Sequence, residues 1–190
     1  MLQIKRLLST GMALGLGLTL IGCGPKSPQA ATEATPAASA AAAAPAGAAK
    51  KAVITLANGG RIEMDLYPDV APLTVANFAK LAGSGFYNNL TFHRVEPGFV
   101  VQGGDPNGNG TGGPGWTVKA EFSNKPHIRG TLAMARAQDP DSAGSQFYIC
   151  LAPAPFLDGK YTVFGQVTKG MELVDQIKVG DKMSKVEIVP

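Results

Sequence analysis

Cysteine is almost missing from this chain of 190 residues: Cys23 and Cys150 are the only two. Two isolated thiols exclude a disulfide framework. Histidine is as scarce. His93 and His127 stand without metal-ligand company, so neither a zinc centre nor any other metal site is expected. Charge is thin, at 16% of residues. The formal net charge of +3 owes much to Lys5 and Arg6; without them 17 basic residues become 15, against 14 acidic. No other basic run and no aromatic-plus-basic motif is present, which excludes a nucleic-acid partner. The glycine-dense stretch "GGDPNGNGTGGPGW" lacks the Gly-Lys-Ser/Thr that would let it cradle a phosphate. It is expected to be a surface loop that needs positive φ at several points. Nothing asks for a metal, a nucleotide or an organic cofactor.

The ends of the chain differ in texture. Leu7 to Ile21 is apolar but only 15 residues long, short of the roughly 20 that span a bilayer. Lys5 and Arg6 precede it, as in a signal peptide. The run ends in Leu20-Ile21-Gly22-Cys23, which resembles a bacterial lipobox. Residues 1–22 are therefore expected to be a lipoprotein signal peptide, and Cys23 the lipidated new N-terminus. Two or more acyl chains would anchor it stably. Gly24 after the cysteine favours an outer membrane facing the periplasm; the outer face of a cytoplasmic membrane is the alternative. Residues 23–51 are rich in Ala and Pro and poor in large apolar side chains, so they form a flexible tether.

From Ala52 the pattern becomes that of a folded domain, expected to span 52–190. Ile54 and Leu56, then Ile62, Met64 and Leu66, alternate with polar residues around Asn58-Gly59-Gly60, predicting a hairpin. Ala71, Val75, Phe78 and Ala82 recur at helical spacing, with Pro72 in the first turn, Asp69 as cap, and Gly83 and Gly85 at the end. Short strand-like runs follow at Thr91–Val95, Phe99–Gln102, Gly130–Ala135, Gln146–Leu151 and Tyr161–Val167. "MELVDQIK" predicts a second short helix, and "SKVEIVP" a last strand. Many short strands with two helices predict a mainly β fold, a barrel or sandwich with helical caps. Cys150 falls in a strand, as a small buried hydrophobe.

Four ordered blocks carry a more specific signal. They are "FHRVEPGFVVQGGD" at Phe92–Asp105, "GTLAMARA" at Gly130–Ala137, "SAGSQFYI" at Ser142–Ile149 and "FLDGKYTVFGQV" at Phe156–Val167. Together with "APLTVANF" they resemble the cyclophilins, which are peptidyl-prolyl cis–trans isomerases. The resemblance covers essentially Ala52 to Pro190. It implies a closed eight-stranded antiparallel β-barrel capped by two α-helices, and a monomer. It places Arg94 at the catalytic arginine, Phe99 and Val100 on the floor of a proline pocket, and Gln102 beside the arginine. Ala135, Arg136 and Ala137 match the edge that pairs with substrate backbone. Gln146, Tyr148, Leu157 and Tyr161 match other lining positions, Phe156 a rim position, and His93 joins the substrate-binding set. Some residues depart from the eukaryotic pattern. Phe156 replaces a tryptophan, which implies weak cyclosporin binding. Tyr161 replaces a histidine, Tyr148 a phenylalanine and Arg136 an asparagine; the added charge would favour acidic peptides.

These residue types suit a reaction without proton transfer. Rotation about an X-Pro bond faces a barrier of about 18–20 kcal/mol set by amide resonance. A fixed guanidinium can donate to the prolyl nitrogen as it turns pyramidal, while an apolar slot grips the ring. The expected partners are X-Pro segments of unfolded or loop regions in client proteins, and a membrane reached through the lipid. Two other readings compete: a tethered chaperone or adaptor with little turnover, and, more remotely, a hydrolase using Ser145. The latter lacks Gly-x-Ser-x-Gly and an ordered His-Asp pair.

Overall fold

A computed structural model of the chain describes residues 51–189. The expected signal peptide, Cys23 and all of the tether but Lys51 lie outside the described residues. Eight strands and two helices follow one another: β1 (Lys51–Leu56), β2 (Arg61–Leu66), α1 (Pro72–Gly83), β3 (Arg94–Glu96), β4 (Val100–Gly103), β5 (Thr131–Met134), β6 (Phe147–Cys150), β7 (Val163–Lys169), α2 (Met171–Val174) and β8 (Met183–Val189). The first strand begins at Lys51, one residue ahead of the expected boundary. Among the described residues no helix is long and apolar enough to cross a membrane.

All strand pairs are antiparallel, in the order β3-β4-β6-β5-β7-β2-β1-β8. The ends of the sheet meet where the segment before β3 pairs with the start of β8. Asn89 and Phe92 donate backbone N–H groups to Met183 and Asp181, and Met183 donates to Leu90. The curled sheet therefore closes into the expected barrel, without a long free edge. The β1–β2 hairpin turns where Asn58-Gly59-Gly60 predicts it, with Gly59 at φ +86°.

Burial alternates with the period of two that strands impose. Phe147 and Ile149 of β6, Leu132 and Met134 of β5, and Val101 of β4 face the main core. Their neighbours Tyr148, Cys150, Ala133 and Val100 form a second apolar cluster on the opposite face. With both faces covered, these strands read as continuous apolar runs in place of alternation. Phe78 from α1 plugs the main core. Its ring lies 5.1 Å from Tyr87, 5.7 Å from Phe147 and 5.3 Å from Phe164. Fully burying each such side chain contributes about 1.5–3 kcal/mol.

Two local expectations are corrected. Asp69 does not cap α1. The N-cap residue is Ala71, which offers no side-chain acceptor. The orphan N–H groups of the first turn instead meet Glu121, far along the chain. Its carboxylate accepts from the Leu73 and Thr74 amides, both at 2.9 Å, and from the Thr74 hydroxyl at 2.8 Å. A remote carboxylate does a local cap's work and also complements the positive end of the helix. The second helix is shorter than "MELVDQIK" suggests: regular α structure stops at Val174. Replacing Glu121 by Ala is expected to lower stability by about 1–2 kcal/mol, the scale of a lost N-cap. Urea unfolding at neutral pH measures it; an unshifted midpoint would show that the carboxylate contributes nothing.

Candidate active site

The β3–β4 hairpin builds the centre of the site. Its register sets Arg94 directly across from Gln102. Pro97 and Gly98 make the turn, with Gly98 at φ +73° and the Phe99 amide donating to the Glu96 carbonyl at 2.9 Å. That turn brings Phe99 up beside the arginine. The guanidinium carbon lies 5.8 Å from the centre of the Phe99 ring. Arg94 Nη1 donates to Gln102 Oε1 at 3.3 Å, and Nη2 to Glu96 Oε1 at 2.6 Å. Arg94 and Glu96 are two apart on one strand, so their side chains leave the same face.

The amides continue the chain of bonds. Gln102 Nε2 donates to Gln146 Oε1 at 3.0 Å, and Gln146 Nε2 donates to the carbonyls of Gly110 and Gly112, at 3.0 and 2.9 Å. A cation at one end and carbonyls at the other dictate the orientation of both amides. The glycine loop is thereby more than a surface connection. Asp105, 1% exposed, organises it by accepting backbone N–H groups from Asn107, Asn109 and Gly110. Burial would push the Asp105 carboxyl up; those three N–H groups, together with His93, outweigh it and hold the group below the usual carboxylate range. Gly112 packs so closely on this carboxylate that a Cβ would collide with it.

An open cleft of about 240 Å³ lies against this hairpin. Arg94, Phe99, Val100, Gln102, Ala135, Arg136, Tyr148, Leu157 and Tyr161 line it, and every one is a position that sequence reasoning singles out. A second open cleft of about 630 Å³ adjoins it across Gln102, Ala135 and Arg136, and includes Ala137 and Gln146. Phe156 stands at the rim, 60% exposed, with its ring stacked 5.6 Å from Phe99. His93 lines neither cleft. Both of its ring nitrogens are buried without a protein partner. Burial lowers its pKa; Asp105 opposes the shift and Arg94 adds to it.

Arg136 is pinned as firmly as Arg94. Its guanidinium donates to the carbonyls of Lys160, Ala137 and Gln138, and lies 4.7 Å from the Tyr161 ring centre. Tyr148, from β6, forms part of the floor; burial raises its phenol well above the ordinary range. The groups that could do covalent chemistry are disarmed. Burial pushes the Cys150 thiol up to about 12. The Ser145 hydroxyl is buried and donates to the Gly104 carbonyl at 2.6 Å, so no base activates it.

Sequence reasoning passes over two features of this site. Glu96, the ionic partner of Arg94, was legible in principle from its i+2 spacing on a strand. The support of Tyr148 by His127 and Asp158 carries no local signal, because the contacting residues are 21 and 31 positions apart.

A family model for the cyclophilin type peptidyl-prolyl cis-trans isomerases matches residues 52–189. Peptidyl-prolyl cis-trans isomerase B of Bacillus subtilis is 52% identical over 141 residues, which is 73% of this chain and 98% of that protein. A peptidyl-prolyl cis-trans isomerase of Synechococcus elongatus is 48% identical over 132 residues, covering 68% of this chain and 90% of its own length. A Cryptosporidium parvum cyclophilin type peptidyl-prolyl cis-trans isomerase, solved in the presence of the dipeptide Ala-Pro, superposes with a TM-score of 0.67 at 30% identity. The match covers 74% of this chain and 99% of that one. With a barrel of this topology, and an arginine held beside the cleft by an amide and a carboxylate, the chain belongs to the cyclophilin-type peptidyl-prolyl cis–trans isomerases.

Proposed function

We propose that Arg94 accelerates X-Pro rotation by electrostatic stabilisation of the twisted amide, and that the domain works in the bacterial cell envelope on a lipid tether at Cys23. One observation carries the mechanism: the guanidinium is fixed by Gln102 and Glu96 in the lining of the cleft, beside Phe99.

A guanidinium has five N–H donors. Two are used by Gln102 and Glu96, which leaves three for a substrate. As the X-Pro bond twists, resonance is lost and the prolyl nitrogen regains a lone pair, to which Arg94 donates. The interaction grows toward the twisted state and is weak in either planar isomer, which is what acceleration requires. Phe99, Val100, Tyr148, Leu157 and Tyr161 grip the ring, while Ala135–Ala137 lies along the path of the peptide backbone. Apolar walls keep the local dielectric low and strengthen the contact. A barrier lowered by about 6 kcal/mol corresponds to roughly 10⁴-fold. The Ala-Pro dipeptide in the Cryptosporidium structure supports X-Pro segments as the substrate. Clients are X-Pro segments of unfolded or loop regions, met by a monomeric domain.

Arg94→Ala is expected to lower kcat/KM for a proline tetrapeptide by about 10²–10³-fold, the loss of one preorganised donor. A protease-coupled isomerisation assay measures it, and a rate equal to wild type would leave the domain a binding module. The lipoprotein reading rests on the Leu20-Ile21-Gly22-Cys23 segment at the end of a short apolar run. Cells fed an alkyne palmitate should label the wild-type protein, which should then fractionate with envelope membranes; Cys23→Ala should do neither. Label that persists in Cys23→Ala would refute the anchor.

A further inference from the structure

His127 is a buried histidine beside the site that the mechanism does not use. It is 1% exposed and lines neither cleft, so it touches no substrate. Its ring is nevertheless bonded at both nitrogens. Nδ1 lies 2.8 Å from Asp158 Oδ1, and Nε2 lies 3.0 Å from the Tyr148 hydroxyl. A carboxylate only accepts, so Nδ1 carries the proton; in the neutral ring Nε2 then accepts from the Tyr148 O–H.

The two ends of this bridge belong to different parts of the cleft. Tyr148 is the floor, on β6. Asp158 directly follows Leu157, a wall residue, and Phe156, the rim residue, in a single turn of 3-10 helix, Pro155–Leu157. His127 also holds that segment by its backbone: its N–H donates to Asp158 Oδ1 at 2.7 Å, and its carbonyl accepts from the Ala154 amide at 2.8 Å. The wall segment is therefore gripped at Ala154 and at Asp158, and the imidazole ties it to the floor. Tyr161 packs edge-on against both rings, 6.0 Å from Tyr148 and 6.5 Å from His127.

We propose that His127 is a positioning residue for proline recognition: braced by Asp158, it holds the Tyr148 hydroxyl and makes floor and wall of the cleft one rigid unit. A phenylalanine would fill the floor equally well but would leave it free to shift against Leu157. Through Tyr161, the same brace reaches the face on which Arg136 lies. The proposal rests on the cleft being the proline site, and it is independent of what Arg94 does there.

The effect belongs to grip and so to KM. A ring held less firmly is held less firmly in planar and twisted states alike, and uniform loss of binding raises KM without lowering kcat. Tyr148→Phe removes a single oxygen and keeps the ring. It is expected to raise KM for an Ala-Ala-Pro-Phe peptide by about 3–10-fold, the scale of one hydrogen bond, with kcat within about twofold. His127→Leu should match it, and the double variant should be no worse than either single one. His127→Gln, whose longer amide reaches toward the Nε2 position, should recover most of the loss. If His127→Leu does not fold, Tyr148→Phe decides alone. A Tyr148→Phe protein with wild-type KM would overturn the proposal, as would a loss confined to kcat. The same comparison can be read as peptide Kd by titration, so a failure of the Arg94 mechanism would leave this test intact.

Discussion

The antiparallel register between β3 and β4 is the constraint from which the site follows. It sets Arg94 opposite Gln102, and the tight Pro97-Gly98 turn folds Phe99 back toward the arginine. A slip of one residue would send the arginine to the other face of the sheet, into the barrel core. The register is protected by that core: Val101, between two cleft-side residues, is fully buried among the interior side chains. The position of the cation is thus held by hydrophobic burial, a stronger and less directional force than the ion pair it makes with Glu96. That pair is half exposed, and exposed pairs contribute little to stability. Its value is geometric. Together with Gln102 it leaves the guanidinium few orientations.

The sheet serves two apolar regions at once. Alternate residues along β4, β5 and β6 feed the barrel interior and the cluster beneath the cleft in turn. A polar chain, Arg94 to Gln102 to Gln146 to the glycine loop, runs along the boundary. Such a network is costly to disturb, because removing one member strands its neighbours. Rigidity suits the reaction. An enzyme that breaks no bond and moves no proton can act only through where its dipoles and walls already stand.

Most of this architecture was legible in the sequence. The hairpin announced itself through Asn58-Gly59-Gly60, and α1 through the spacing of Ala71, Val75, Phe78 and Ala82. All nine residues that line the smaller cleft lie in blocks recognisable in order along the chain. What escaped was governed by distance along the chain. Glu121 caps α1 from 47 and 48 residues away, a role no local pattern announces. The contacts of His127 with Tyr148 and Asp158 join residues 21 and 31 positions apart. His93 lies just before β3, and its ring nitrogens are buried near the glycine loop.

In the mechanism we propose, a directed, preorganised guanidinium, more than positive charge as such, loosens the X-Pro bond. Arg94→Lys tests it most directly, because lysine keeps the charge but loses the planar fork that Gln102 and Glu96 hold. Exchange between cis and trans forms of a saturating, bound proline peptide can be followed by NMR. A fall in that bound-state rate of about 10²-fold or more, with peptide affinity within a few-fold of wild type, is expected. Exchange at the wild-type rate in Arg94→Lys would contradict it.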